Sequence, residues 1–185
     1  MDKSEFEKGK QIAYRFLSYR PRSKKEVERK LKEKKISGEN ILNIISLLEK
    51  NNYLNDREFT LNWLRYRMEN RPRGRRSLEY ELKEKGVDSE IIKDSLDEVY
   101  SGEFDEYDVA VKLAEKKIAS LKKKQPPLSP LTKGELKGVV PLTKGELGGY
   151  IKRRLFSYLH RKGFSFSLIE KVMSDLFNAE SIESI

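Results

Sequence analysis

The chain contains no cysteine and a single histidine among its 185 residues. Without cysteine there is no disulfide, no thiolate metal site and no cysteine nucleophile. One imidazole, His160, excludes a site built from several histidine ligands. No apolar run approaches the roughly 18 residues of a membrane span. The opening Met1-Asp2-Lys3-Ser4-Glu5 has no apolar stretch behind it of the kind a secretory signal carries. A cytoplasmic protein with no membrane association is therefore expected. No segment sustains an alternation of apolar and polar residues, so no sheet is expected. Apolar residues make up only 37% of the chain, as do charged ones, so the core is thin.

The net charge is +9 and unevenly placed. Residues 1–36 carry 13 basic and 6 acidic side chains. Residues 65–76 hold Arg65, Arg67, Arg71, Arg73, Arg75 and Arg76 against Glu69 alone. Residues 77–106 then hold 11 acids and 3 bases. Clustered arginines suit bidentate contacts to phosphate or carboxylate. The same pattern also fits a solvated helical surface whose arginines cap carbonyls or pair with the acidic 77–106 stretch.

An internal repeat organises the chain. Arg20-Pro21-Arg22-Ser23 lies 51 positions before Arg71-Pro72-Arg73-Gly74, and Leu31-Lys32-Glu33-Lys34 lies 51 before Leu82-Lys83-Glu84-Lys85. The same offset pairs Ile12 with Trp63, Leu17 with Met68, Val27 with Leu78 and Ile36 with Val87. A third copy follows in Leu155-x-x-x-Leu159-His160-Arg161-Lys162-Gly163-Phe164, 77 positions beyond its counterpart at Leu78. The excess matches an insertion at 125–149, where Pro-Leu-Thr-Lys-Gly-Glu-Leu occurs at 130–136 and again at 141–147. Four of the six prolines fall there, so a disordered, flexible loop is expected. It lacks the Gly-x-x-x-x-Gly-Lys-Ser/Thr pattern of a phosphate-binding loop.

Each copy reads as three helices. In the first, helix one covers roughly 5–19 and presents Ile12, Ala13, Phe16 and Leu17 on one face. Pro21 stops it. Ser23 and Glu26 form a capping box for helix two, which buries Val27 and Leu31. Helix three carries Ile41, Ile44, Ile45 and Leu48. In the second copy, Trp63, Leu64 and Met68, then Leu78 and Leu82, then Ile91, Ile92, Leu96 and Val99 play these parts, and Gly86 ends helix two in a left-handed conformation. The fold class is all-α: three tandem three-helix repeats, at 1–52, 53–104 and 105–185, forming an elongated curved array.

Three motifs carry a family resemblance. Arg20-Pro21-Arg22-Ser23-x-x-Glu26-Val27-x-x-Lys30-Leu31, then Tyr53-Leu54-Asn55-Asp56-x-x-Phe59, then Gly74-x-x-x-Leu78-x-x-x-Leu82-x-x-Lys85-Gly86-Val87 resemble, in that order and spacing, the motifs of the RecX family of RecA regulators. Asn52 stands where the family often has Gly, and Thr60 where it often has Ala. The resemblance implies three three-helix repeats that bind along the groove of the RecA–single-stranded DNA filament. It implies reduced filament growth, strand exchange, ATP hydrolysis and repressor co-cleavage, hence a part in recombination, DNA repair and the SOS response.

An enzyme is not expected. His160 occupies the position of Lys32 and Lys83, a surface position. The acids from Asp88 to Asp108 show no ligand spacing and fit a solvated helix face and a helix start. Trp63 could stack a base, but its partner in the repeat, Ile12, points to core packing. No cofactor and no metal are expected, and the chain is expected to be a monomer. The expected contact residues are Arg65, Arg67, Arg71, Arg73, Arg75 and Arg76, with Arg20 and Arg22 as their equivalents in the first copy. Two other functions fit the same composition: direct DNA binding through a three-helix unit, and a scaffold for an unrelated protein.

Overall fold

The structure is a computed structural model and describes residues 3–123 and 144–182. Among these residues there are nine helices and no strand: α1 (Lys3–Tyr19), α2 (Lys24–Glu33), α3 (Gly38–Lys50), α4 (Asp56–Asn70), α5 (Arg75–Glu84), α6 (Ser89–Gly102), α7 (Glu106–Lys123), α8 (Lys144–Arg161) and α9 (Phe166–Ile182). By their contacts they form two compact units, residues 3–72 with 78–104 and residues 73–77 with 105–123 and 144–182.

In the first unit α1, α2 and α3 pack on one another, and α4 packs on α6. The helix ends follow local chemistry. α1 stops at Tyr19, two residues before Pro21, which disfavours helical geometry in the residue it follows. The Ser23 hydroxyl accepts the Glu26 N–H at 3.1 Å, and the Glu26 carboxylate accepts the Ser23 N–H at 3.1 Å, so the capping box is complete. Val27, Leu31, Ile44 and Leu48 are fully buried beneath Ala13 of α1. Leu64, Leu78, Leu82, Ile92, Leu96 and Val99 are buried in the second triplet. Gly86 adopts φ +75, and the Val87 N–H returns to the Leu82 carbonyl, closing α5 as a left-handed cap does. Asn52 has φ +56, a conformation Asn tolerates better than most residues.

The second unit is built on Ala110, Ala114, Leu155, Leu159, Phe164, Ile169 and Val172, shared by α7, α8 and α9. Its start differs from expectation. Residues 144–149, assigned from the sequence to the flexible insertion, belong to α8. Beyond Pro141 every residue carries a backbone N–H. The cost of Gly148 and Gly149, about 1 kcal/mol each, falls on a helix whose face is anchored by buried Ile151, Leu155 and Leu159. The rest of the expected loop, 125–143, lies outside the described residues.

Segment 73–77 is held within this unit. The Gly74 N–H donates to the Lys162 carbonyl at 2.9 Å, and the Arg75 N–H donates to the Glu106 carboxylate at 2.8 Å. Gly163, at φ +88, lies so close to Ser77 that an added Cβ would sit 2.5 Å from both the Ser77 Cβ and its backbone nitrogen.

Candidate functional site

Most of the arginines singled out from the sequence are engaged within the chain. Arg20 and Arg22 leave the α1–α2 connection and converge on Glu26. The Arg20 guanidinium donates to both Glu26 oxygens, at 2.7 and 3.4 Å, and to the Pro21 carbonyl at 3.0 Å. Arg22 lies 3.7 Å from the same carboxylate and stacks over the Phe16 ring at 4.0 Å. Burial is the main influence on the Arg22 guanidinium and lowers its pKa.

Glu26 also receives a charge from the second triplet. The Lys85 ammonium lies 4.0 Å from the Glu26 carboxylate and 4.0 Å from the centre of the Trp63 ring. The neighbouring Ser23 hydroxyl donates to the Lys85 carbonyl at 2.6 Å. Burial pushes the Glu26 carboxyl up. The hydrogen bonds from Arg20 and the Ser23 N–H, with the Lys85 charge, outweigh it and hold the carboxyl below its ordinary range. Burial lowers the Lys85 ammonium, partly offset by Glu26.

Arg67 lies 2.9 Å from Glu81 and over Trp63 at 4.9 Å. Trp63 is therefore a half-buried platform covered by two cations, not an open stacking surface, and its indole N–H has no acceptor among the described residues. Arg65 chelates Glu103 through Nε and Nη2, at 2.6–2.9 Å, which raises its pKa. These two pairs join the arginine run to the acidic stretch. Arg73 is half-buried and donates to the Ser77 hydroxyl at 3.2 Å. Arg75 is half-buried in the first turn of α5. Arg71 and Arg76 are exposed, and their side chains make no hydrogen bond or ion pair within the described residues.

The other candidates fall into ordinary roles. His160 is exposed and lies flat against Phe156, ring centres 6.3 Å apart. Asp88 caps α6, accepting the Glu90 N–H at 2.8 Å, and Asp105 accepts the Tyr107 N–H at 2.6 Å at the start of α7. Among the described residues no three His, Asp or Glu side chains converge to hold a metal ion, and no helix is long and apolar enough to cross a membrane. Tyr53 is mostly exposed and meets Tyr14 edge-on at 5.2 Å.

Two surfaces of the first unit were not singled out in the sequence. Between α1 and α2 runs a groove of about 560 Å³, lined by Lys8, Ile12, Arg15, Phe16, Tyr19, Lys30 and Lys34. Beside the end of α1 lies a cleft of about 630 Å³, where Tyr14, Tyr19 and Tyr53 meet Asn52, Asn55 and Asn62. The +7 charge of residues 1–36 was the signal for the groove, but only the fold gathers its cations on one side.

Comparison with known proteins covers most of the chain. Residues 10–46 match the family profile of the RecX first three-helix domain, and residues 55–96 that of the RecX second three-helix domain. The regulatory protein RecX of Bacillus subtilis is 37% identical over 172 residues, which are 93% of this chain and 56% of that protein. This chain thus spans little more than half of that relative. The regulatory protein RecX of Clostridium perfringens strain 13 is 31% identical over 97% of this chain and 73% of its own length. Among solved structures, RecX from Lactobacillus salivarius superposes with a TM-score of 0.72 at 25% identity, covering 94% of this chain and 97% of that one.

Proposed function

The chain belongs to the RecX family, and from that premise we propose that it is a non-enzymatic, cytoplasmic regulator that binds the RecA–single-stranded DNA filament and lowers its recombinase, ATPase and co-protease activities. The observation that carries this reading is likeness along more than nine-tenths of the chain to proteins named as regulatory protein RecX. Three modules, at 1–52, 53–104 and 105–185, and a monomeric state are part of the same proposal.

The contact set narrows with the geometry. Arg20, Arg22, Arg65 and Arg67 spend their guanidinium groups on Glu26, Glu103 and Glu81. Arg71, before α5, and Arg76, in its first turn, are exposed and lead the contact with the filament, with Arg73 and Arg75 beside them.

The test is ATP hydrolysis by RecA on single-stranded DNA with this protein added. Inhibition is expected at stoichiometric amounts, with no hydrolysis by the protein alone. Full hydrolysis at excess would end the reading. Each exposed ionic contact is worth up to about 1 kcal/mol, so Arg71→Ala with Arg76→Ala should raise the half-inhibiting concentration roughly tenfold. Helical circular dichroism should not change. Undiminished inhibition by this double variant would place the contact on another face.

A further inference from the structure

We propose that the groove between α1 and α2 binds single-stranded nucleic acid directly, with the backbone along its cations and a base on Tyr19 and in the adjoining cleft. Lys8 and Arg15 of α1 face Lys30 and Lys34 across Ile12 and Phe16, and no acid lines the groove, while Glu58 lines the adjoining cleft. Arg15 and Lys34 are exposed and make no ion pair within the described residues. Lys8 feels Glu5 only weakly, and Lys30 reaches Glu33 at 3.1 Å. Tyr19, 70% exposed, lines both the groove and the cleft. Asn52 and Asn62, exposed on the far wall, offer the paired donor and acceptor that a base edge requires. A cationic track ending in an aromatic ridge and amide side chains is the arrangement that single strands use.

The repeat shows why this groove is open. Its counterpart in the second copy is filled from within: Trp63 replaces Ile12, Arg67 replaces Phe16, Glu81 replaces Lys30, and Lys85 lies over the indole. Glu26 of α2 then approaches Lys85. Among the residues that line the groove of the first copy no acid takes that place. A second copy of the chain cannot supply one. Gly86 and Gly163 admit Lys25 and Ser77 because they lack a Cβ, which would lie 2.5 Å from the Cβ atoms of those residues. The first copy has Lys35 at this position, with φ +60 and a full side chain. That side chain blocks the same seating. The fold therefore leaves a cationic groove closed to another repeat and open to a polyanion.

The experiment is fluorescence anisotropy of the full chain with a labelled oligothymidine of about 15 nucleotides, with no recombinase present. Binding should weaken with salt, and the triple variant Lys8→Glu, Arg15→Glu, Lys34→Glu should lose at least about tenfold in affinity. Its log–log salt slope should flatten by about 2, from three lost contacts on a single strand. Tyr19→Ala should lose about fivefold or more, and Tyr19→Phe should restore it, since the ring and not the hydroxyl is used. Unchanged binding by the triple variant overturns the proposal. So does preferential capture of polyglutamate, which would make the groove a site for acidic protein segments. Because recombinase is absent, failure here leaves the regulatory reading standing, and failure of RecA inhibition leaves this one standing.

Discussion

Gly163→Ala is expected to destabilise the protein by about 2–4 kcal/mol. A non-glycine residue held at φ +88 costs about 1–2 kcal/mol. Forcing a methyl group against the Ser77 backbone nitrogen adds about 1–3 kcal/mol of overpacking, because a backbone atom in a first helical turn cannot swing aside. The lower entropy of the unfolded alanine chain offsets roughly 0.4–1 kcal/mol. For a chain of this size the melting temperature should fall by roughly 5–15 °C. The informative control is Lys35→Gly at the equivalent position of the first copy. There the left-handed strain is relieved while glycine entropy is added, so stability should stay within about 1 kcal/mol of the parent. Thermal unfolding followed by circular dichroism checks both. A Gly163→Ala protein that melts with the parent would mean that Ser77 does not press on Gly163.

The contrast between these positions shows which parts of the molecule could be read before it was folded. The Ser23–Glu26 box, the stop at Pro21 and the left-handed Gly86 were legible because each depends on neighbours within a few residues. The buried stripes of α2, α3 and α6 were legible because periodicity alone selects a face. The onset of α8 was not. Two glycines and a repeated Thr-Lys-Gly signal a loop locally, whereas buried Ile151 and Leu155 decide the matter through packing with α7 and α9. The arginine run was visible as charge, but which guanidiniums stay free depends on partners 38 residues away for Arg65 and on nearby Glu81 for Arg67. The α1–α2 groove escaped notice because its cations come from two helices. The departure at Asn52 proved conformational: it keeps the positive φ that a glycine would take without strain.

Glu26→Ala should be the most damaging single loss of charge in the first unit, at about 2–4 kcal/mol. The carboxylate side chain is only 12% exposed and serves three cations and one backbone N–H. Removing its part of the capping box costs about 1 kcal/mol. Leaving the nearly buried Arg22 and Lys85 without their counter-charge adds about 1–3 kcal/mol, below the figure for a fully buried pair because Arg20 is 40% exposed. Glu26→Gln keeps an acceptor for the Ser23 N–H and should lose less. Acid separates charge from shape. The Glu26 carboxyl is held below its unfolded value, so its contribution is complete above the unfolded pKa and disappears as pH falls through the folded one. Asp56 behaves in the opposite sense. Burial raises its carboxyl even though it accepts the Lys24 N–H at 2.8 Å, so its contribution is complete below the unfolded pKa and is lost as pH rises through the folded one. Melting temperatures measured between neutral and strongly acidic pH should therefore fall less steeply for Glu26→Gln than for the parent, and more steeply for Asp56→Asn. Parallel curves for all three proteins would show that the Arg20–Glu26–Lys85 network is solvated in solution and that the first two triplets are joined by the Ser23 hydroxyl and packing alone.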